Sequence, residues 1–349
     1  MTAAWVIRAG RYGERDEWAI QNGVSGGGWG EWPDLTSATT REEVRAVTAG
    51  VLGEEDARVP GYTGQVWALR GRISVGDIAI LPMKTGKREI ALGRVTGGYE
   101  FLADNEDPRR RHVVRVDWQR MVPRSVIKQD LLYSLNGASS VFSPSRNHAV
   151  ERLEHLLGHG TDPGAIPFGA PTATPGPASA EDTVDAPELD TDIAEVARDQ
   201  ITTRIGEEFV GHDFAHLVAA LLEAEGFEIE ESPKGADGGI DITAGRGLLG
   251  LESPRIIVQV KSPQVEDSVI AQLNGLVSTH GADFGLVVTW SGLSGPARNT
   301  VKQQRFKVKV WESEDVVEAV LRNYEQLPAD IRARLPLQRV WMLTDGGKP

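Results

Sequence analysis

The sequence of 349 residues contains no cysteine. This absence excludes a disulfide framework, a thiolate metal site and a cysteine nucleophile, and it suits a reducing cytoplasm. The sequence also lacks a run of about 18 apolar residues, so no membrane-spanning helix is expected. The first residues lack the basic-then-apolar pattern of a signal peptide. We therefore expect a cytoplasmic protein that does not bind a membrane.

Basic residues are fewer than acidic ones. The sequence has 37 Lys and Arg and 50 Asp and Glu, which give a formal net charge of −13. This balance excludes a protein that coats nucleic acid through bulk positive charge. A local basic groove stays possible, since the position of each charge matters more than the sum. Part of the acidity lies in one segment, Glu181 to Asp199, which contains a single Arg.

The length predicts two domains. Residues 158–192 are dense in Pro, Ala, Gly and Thr and have too little apolar content to build a core. Their prolines favour a semi-extended linker. We therefore predict a first domain over residues 1–157, a Pro-rich linker over 158–192 and a second domain over 193–349. The apolar residues of the C-terminal tail are expected to pack against a core; they are Leu335, Leu337, Val340, Trp341 and Leu343.

The first domain mixes short strand-like runs with helical patterns, which predicts an α+β domain built on a curved sheet. Thr40–Val51 is a predicted helix with Thr40 as its N-cap and the acids Glu42 and Glu43 in its first turn. The Gly- and Trp-rich stretch Gly23–Asp34 is predicted to be a loop.

Two short apolar runs in the second domain, Gly239–Thr243 and Arg255–Lys261, alternate apolar and polar residues as strands do. Residues i and i+2 of a strand share a face. Ile240 and Ile242 are therefore expected to face one way and Asp241 the other.

The same rule places Ile257, Gln259 and Lys261 on one face of the second run and points Val258 and Val260 away from it. The two runs would then bring a carboxylate, an amide oxygen and an ammonium together at the edge of an apolar sheet. A carboxylate there can hold a hard cation such as Mg²⁺, which takes oxygen ligands and keeps several waters. An ammonium beside it can assist an attacking water or stabilise charge that develops on a phosphate.

The elements around these runs are predicted in the order α-β-β-β-α-β-α-β-α. This region resembles the Mrr-like branch of the PD-(D/E)XK nuclease superfamily over roughly residues 205–325. Four blocks carry the resemblance, in order: F-x-x-L-V-x-x-L-L-x-x-x-G-F (Phe214–Phe227), D-G-G-I-D (Asp237–Asp241), Q-V-K (Gln259–Lys261) and G-A-D-F-G-L-V-V-T (Gly281–Thr289).

The resemblance implies an α/β nuclease domain that uses Mg²⁺. By carry-over, Asp241 and Gln259 are metal ligands, with Gln259 in place of the more usual Glu, and Lys261 is the catalytic lysine. The backbone carbonyl of Val260 can add an oxygen to the metal. Asp241, Gln259 and Lys261 are the predicted catalytic set.

The chain departs from this pattern at Ala215, where many relatives carry a Glu. Either Asp213 or His216 could replace that carboxylate. Asp237 has two open roles, which are to fix the Gly-Gly turn by a hydrogen bond to the backbone or to take part in catalysis.

The first domain resembles the N-terminal domains that accompany Mrr-like nucleases and, more distantly, the PUA-like group that includes EVE, YTH and SRA-type readers. The blocks are W-V-I-R-A-G (Trp5–Gly10), G-W-G-E-W-P-D-L (Gly28–Leu35), Q-V-W-A-L-R (Gln65–Arg70), V-G-D-I-A-I-L-P-M-K (Val75–Lys84), I-A-L-G-R-V-T-G-G-Y (Ile90–Tyr99) and V-P-R-S-V-I-K-Q-D-L-L-Y-S-L (Val122–Leu135).

In the PUA-like group an aromatic-lined pocket holds a modified base, and a flipped base needs stacking faces and a few hydrogen bonds to its edge. Trp29, Trp67 and Tyr99 are the candidate walls of such a pocket, with Lys84 as a polar contact. For each of these residues a packing role in the core is an equal alternative.

Basic residues cluster late in the first domain. The candidates for contacts to the DNA backbone are Arg109, Arg110, Arg111, Arg115, Arg120 and Arg124. The alternative is an ordinary solvated face, because acidic residues such as Asp107 and Asp117 are interspersed with them.

These features together predict a Mg²⁺-dependent DNA endonuclease of two domains, in which the first recognises a modified base in double-stranded DNA and the second cuts. Such an enzyme would be a modification-dependent, type IV-like restriction enzyme in defence against foreign DNA. Two alternatives are a nuclease switched on by a small nucleotide messenger bound to the first domain, and an inactive DNA-binding module. Cleavage of both strands predicts a homodimer or a higher homo-oligomer.

Overall fold

The structure, a computed structural model, describes residues 2–137, 139–164, 193–232 and 239–341. The chain forms two compact units, Met1–Gln200 and Ile201–Pro349. The first unit therefore includes residues 193–200, which the sequence placed with the second domain. Most of the predicted linker, residues 165–192, lies outside the described residues. None of the helices in the described ranges is both long and apolar enough to cross a membrane.

Ahead of residue 165, the described residues of the first unit form six strands and five α-helices. The strands are β1 (Ala4–Ile7), β2 (Val24–Gly27), β3 (Ile78–Pro82), β4 (Ile90–Phe101), β5 (His112–Val122) and β6 (Val141–Phe142). The helices are α1 (Asp16–Asn22), α2 (Arg41–Leu52), α3 (Val59–Trp67), α4 (Gln129–Leu135) and α5 (Ala149–His159).

The six strands form one sheet in the order β2-β5-β4-β3-β1-β6. Only β1 and β3 pair in parallel; the other neighbours are antiparallel. The long β4–β5 pair contains three register shifts, and such irregularities bend a strand and increase its twist. Alternate residues of β1 enter different apolar clusters, Trp5 and Ile7 on one face and Ala4 and Val6 on the other. Both faces of the sheet are therefore covered.

The predicted loop Gly23–Asp34 is partly wrong, because strand β2 lies within it. Gly26 pairs with Val113 of β5, and a Cβ on Gly26 would lie 1.9 Å from the carbonyl oxygen of His112. The absence of a side chain at Gly26 thus permits the close strand pairing, although glycine has a poor intrinsic preference for strands.

Helix α2 begins as the sequence predicts. The Thr40 hydroxyl accepts a hydrogen bond from the Glu43 backbone N–H at 3.2 Å, and the Glu43 carboxylate accepts one from the Thr40 N–H at 2.9 Å. This capping box satisfies two helix-end donors at once, so Thr40 is confirmed as the N-cap.

The folded part of the first unit continues beyond residue 157. Arg152 of α5 is fully buried, and its guanidinium contacts Asp162 at 2.6 Å and Asp130 at 2.7 Å. Since Asp162 is also buried, residues up to at least Asp162 are part of this packing.

The described residues of the second unit form five strands, and helix α6 (Ile193–Glu208) includes residues on both sides of the boundary at residue 200. The strands are β7 (Glu228–Glu231), β8 (Ile242–Arg246), β9 (Glu252–Lys261), β10 (Phe284–Thr289) and β11 (Val308–Trp311). The later helices are α7 (His212–Ala224), α8 (Asp267–Thr279), α9 (Gly295–Gln303), α10 (Ser313–Asn323) and α11 (Ala329–Arg334). From α7 to α10 the predicted order of elements is confirmed.

The five strands form a mixed sheet in the order β11-β10-β9-β8-β7. Strands β9, β10 and β11 run parallel, and β7 and β8 are antiparallel to their neighbours. Apolar clusters cover both faces. One contains residues of α7 and α10, and the other contains residues of α8 and α9.

The predicted faces are confirmed for β9 and wrong for the run before it. Ile257 belongs to the cluster with α8, whereas Val258 and Val260 belong to the cluster with α7. Ile240 and Ile242, however, enter opposite clusters. The reason is that β8 begins only at Ile242, so residues 239–241 do not follow the alternation of a strand.

The C-terminal tail packs only in part. Leu335 is buried in the core and Leu337 packs against it. Val340 and Trp341 are exposed, so the prediction that they dock against a core is wrong. Leu343 lies outside the described residues.

Candidate active site

Asp241 is held at the edge of strand β9 by two hydrogen bonds. Its backbone N–H donates to the carbonyl of Val258 at 2.9 Å. Its carboxylate oxygen Oδ2 accepts from the Val260 N–H at 2.7 Å. Throughout the described ranges, no residue donates a hydrogen bond to the other oxygen, Oδ1. The carboxylate is therefore fixed in place and keeps one oxygen available for a ligand.

Gln259 of β9 is 2 % exposed. Its side-chain oxygen Oε1 is buried and accepts no hydrogen bond from any described residue. Its Nε2 lies 2.7 Å from the point that a Cβ on Gly239 would occupy, so the amide reaches the turn that precedes Asp241. A buried acceptor without a donor costs about 1–3 kcal/mol, and such an atom in a native structure needs an explanation.

Lys261 is the last residue of β9. Its carbonyl accepts from the Trp290 N–H at 3.0 Å, which fixes the backbone. The side chain is partly exposed, and its ammonium makes no hydrogen bond or ion pair within the part of the chain that the structure describes. Lys261 thus presents an uncompensated positive charge.

A cavity of about 480 Å³ is lined by Asp241, Val260 and Lys261, whereas the buried Gln259 is not one of its lining residues. The Gly211 N–H, just before α7, donates to Ser262 Oγ, just after β9, at 3.4 Å. The lining residues are Val210, Gly211, His212, Ala215, Asp241, Val260, Lys261, Ser262 and Pro263.

Ala215 lines this cavity, so the position that carries a Glu in many relatives faces the site but supplies no ligand. Neither predicted substitute lines it. Asp213 pairs with Arg334 at 3.0 Å, and His216 pairs with Glu231 at 3.0 Å. The hydrogen bond to Glu231 raises the pKa of His216. Asp237 lies outside the described residues.

His212 was not singled out from the sequence, yet it lines the cavity. It is the first residue of α7 and precedes Ala215 by three positions, a spacing that places both on one helix face. The three-residue spacing is visible in the sequence. It points to His212 only when Ala215 is known to line the cavity.

The ligand set suits a hard cation better than a soft one. The described residues contain no group of three or more His, Asp or Glu that could hold a metal. Oxygen ligands are present, however, in the Asp241 carboxylate and the orphaned Oε1 of Gln259. The N–H and C=O of one strand residue point to the same edge, so the carbonyl of Val260 lies on the side of Asp241. Carboxylate, amide and backbone oxygens are the ligands that Mg²⁺ takes.

The aromatic residues predicted to form a base pocket share one core cluster in the first unit. Trp29 is 5 % exposed and packs edge-on against His112. Tyr99 is half-buried, and its hydroxyl lies 2.9 Å from His112 Nδ1. Burial lowers the pKa of His112 and raises the pKa of Tyr99 to about 12. Both groups are therefore uncharged at neutral pH.

Trp67 and Lys84 have different surroundings. Trp67 is half-buried at the end of α3, and its ring lies 2.4 Å from the point that a Cβ on Gly71 would occupy. The ammonium of Lys84 is 2.6 Å from a carboxylate oxygen of Glu195. The structure thus brings the three aromatic residues into one cluster and places the Lys84 ammonium in an ion pair.

The arginines predicted to contact DNA lie on and beside β5, and each has a local partner. Arg109 and Arg110 pair with Asp107, Arg115 pairs with Glu100, and Arg111 donates to the carbonyl of Asn105. Surface ion pairs contribute little, so these pairs do not prevent contact with a phosphate.

Two further arginines were candidates for the same role. The prediction for Arg124 is wrong, because its side chain is buried and pairs with Asp199 at 2.6 Å and with Glu195 at 3.0 Å. Arg120 donates from Nε to the carbonyl of Leu157 at 2.8 Å.

Residues 207–320 match the catalytic domain family Mrr, described as a restriction endonuclease, and residues 5–134 match a domain of unknown function, DUF8426. No curated protein matches the chain.

Three solved structures resemble parts of the chain. The protein of unknown function AF1548 is 20% identical, with 30% of this chain and 64% of that chain covered and a TM-score of 0.25. The DNA modification-dependent restriction endonuclease AspBHI is 16% identical, with 81% and 74% covered and a TM-score of 0.32. The restriction endonuclease MspJI, in complex with a 27-mer oligonucleotide, is 13% identical, with 81% and 70% covered and a TM-score of 0.31. Each of these similarities is weak.

Proposed function

Because residues 207–320 are an Mrr-family restriction endonuclease domain, we propose that the chain is a Mg²⁺-dependent endonuclease that hydrolyses phosphodiester bonds of double-stranded DNA. The observation that carries this proposal is one arrangement at the end of β9. A fixed carboxylate (Asp241) lies there beside an amide oxygen (Gln259) and an ammonium (Lys261) that have no partner among the described residues.

The residues divide the work as follows. Asp241, Gln259 and the carbonyl of Val260 would hold the cation, which when bound lowers the pKa of a water and polarises the phosphate. Lys261 stabilises negative charge that develops on the phosphate and assists the attacking water. Preorganised charge of this kind acts strongly because it needs no rearrangement during the reaction.

The first unit is proposed to recognise the DNA. A PUA-like reader of a modified base would use aromatic faces, and the cluster of Trp29, Trp67 and Tyr99 supplies them. Trp67 and Tyr99 are half-buried and suit a stacking role better than the buried Trp29. Lys84 would contribute only after leaving Glu195. The chain would then be a modification-dependent restriction enzyme that acts against foreign DNA.

Contacts to the DNA backbone are proposed for the arginines on and beside β5, namely Arg109, Arg110, Arg111 and Arg115. Each is at least partly exposed, and their partners are local surface carboxylates or carbonyls.

A homodimer is proposed because one site hydrolyses one strand at a time.

The test is cleavage of matched modified and unmodified duplexes, with Mg²⁺ and with EDTA, by the wild type and by Asp241→Asn. The variant keeps an acceptor for the Val260 N–H but lacks the charge, so we expect it to lose cleavage, whereas the exposed Asp267→Asn retains it. Cleavage in EDTA, or wild-type cleavage by Asp241→Asn, would overturn the active-site assignment. Equal cleavage of both duplexes would overturn the reader assignment alone.

A further inference from the structure

His212 stands apart from the other polar side chains at the start of α7. Asp213 is paired with Arg334 and His216 with Glu231. The imidazole of His212 is exposed, and within the described ranges it has no hydrogen-bond or charged partner. It lines the same cavity as Asp241 and Lys261.

The backbone fixes His212 relative to the catalytic lysine. The preceding residue, Gly211, donates its N–H to Ser262, which directly follows Lys261. The start of α7 is thereby tied to the end of β9. His212 and Lys261 both line one cavity, next to the two residues that make this contact.

The charge of the cavity suits an anion as well as a cation. Its lining carries one carboxylate, Asp241, against one ammonium, Lys261, and Ala215 contributes no second carboxylate. A phosphate group can therefore enter without strong repulsion. An imidazole can donate a hydrogen bond to a phosphate oxygen, and hydrogen bonds to charged acceptors are the stronger ones.

We propose that His212 is a further catalytic residue, which donates a hydrogen bond to a non-bridging oxygen of the scissile phosphate in the cavity that it shares with Lys261. This inference rests on the proposed function. It assigns to His212 a contact with substrate, and it leaves the metal to Asp241, Gln259 and Val260.

The experiment compares His212→Ala, His212→Gln and, as a matched control, His280→Ala, an exposed histidine at the end of α8. Single-turnover cleavage of a duplex with Mg²⁺ should slow by about 10- to 100-fold in His212→Ala. His212→Gln keeps a donor and should recover part of the rate, and His280→Ala should cut as the wild type does. Calorimetric titration with Mg²⁺ alone should give the same affinity for the wild type and His212→Ala.

Three results would overturn the assignment: wild-type cleavage by His212→Ala, no recovery in His212→Gln, or a loss of Mg²⁺ affinity in His212→Ala. The last would make His212 a metal ligand. Asp241→Asn separates this outcome from failure of the proposed function, because an active Asp241→Asn discredits the whole site, whereas an inactive one leaves only the role of His212 in question.

Discussion

The ammonium of Lys261 has no partner in the described part of the chain, so its removal should leave the fold intact. We predict that Lys261→Ala lowers the cleavage rate by about 10²–10³-fold, the usual cost of losing one preorganised charge at a reacting centre. Circular dichroism and single-turnover cleavage measure the two effects. Lys302→Ala, at an exposed site on α9, is the control. A Lys261→Ala enzyme as fast as the wild type would show that Lys261 is not catalytic.

Replacement of Gln259 by an apolar residue should raise the stability of the metal-free protein and lower its activity. Gln259→Leu removes a buried amide whose oxygen accepts no hydrogen bond from any described residue. An apolar group of similar size takes its place, so the metal-free protein should gain about 1 kcal/mol in free energy of unfolding. The same variant should lose Mg²⁺-dependent cleavage because the proposed metal ligand is gone. Urea denaturation in EDTA and a cleavage assay test both parts. A less stable, fully active variant would contradict the ligand assignment.

At the scale of elements, helix α5 depends on the ion pair between Arg152 and Asp162. Both side chains are fully buried in the pair, and removal of Asp162 leaves the buried Arg152 with the more exposed Asp130 as its remaining carboxylate partner. We predict that Asp162→Asn lowers the free energy of unfolding by about 3 kcal/mol. Asp130→Asn is the matched control, because Asp130 contacts the same Arg152 but is 43% exposed, and its loss should cost under about 1 kcal/mol. Equal effects in urea denaturation would show that burial does not decide the difference.

The ion pair between Arg152 and Asp162 also makes the stability of the fold depend on pH. Burial alone raises the pKa of Asp162, but hydrogen bonds from Arg152 and from the backbone of Gly164 and Lys128 outweigh it and leave the pKa below its usual 3.8. Because the folded pKa is depressed, this stabilisation is present above pH 3.8 and is lost as the pH falls through the folded pKa. Acid unfolding should therefore show a smaller loss of stability below pH 4 in Asp162→Asn than in the wild type.

At the scale of the whole molecule, double-strand cleavage requires two active sites or one site that rebinds. Two-fold association is the simplest arrangement, since most soluble oligomers are closed and symmetric. We predict at least a dimer, in solution or on DNA, with contacts mainly from residues beyond 193. Light scattering with and without DNA, together with the cleavage rate against protein concentration, tests this. A monomer in all conditions, with double-strand cleavage first order in enzyme, would rule the dimer out.

Much of the second unit follows from the sequence by itself. The alternation in Arg255–Lys261 correctly separates Ile257 from Val258 and Val260, and the element order from α7 to α10 is as predicted. Thr40 is likewise a correct N-cap. These features depend on interactions between residues a few positions apart, and such interactions are written directly into sequence spacing.

The tertiary structure decided the features that depend on distant partners. Strand β2 exists because Gly26 approaches the backbone of His112, and Arg124 is buried because Asp199 pairs with it. His212 reached the cavity through the contact between Gly211 and Ser262. In each case the deciding neighbour lies about 50 or more positions away along the chain, so no local pattern carries the information. Burial and ion pairing depend on which distant segments of the chain come into contact, and only the tertiary structure determines those contacts.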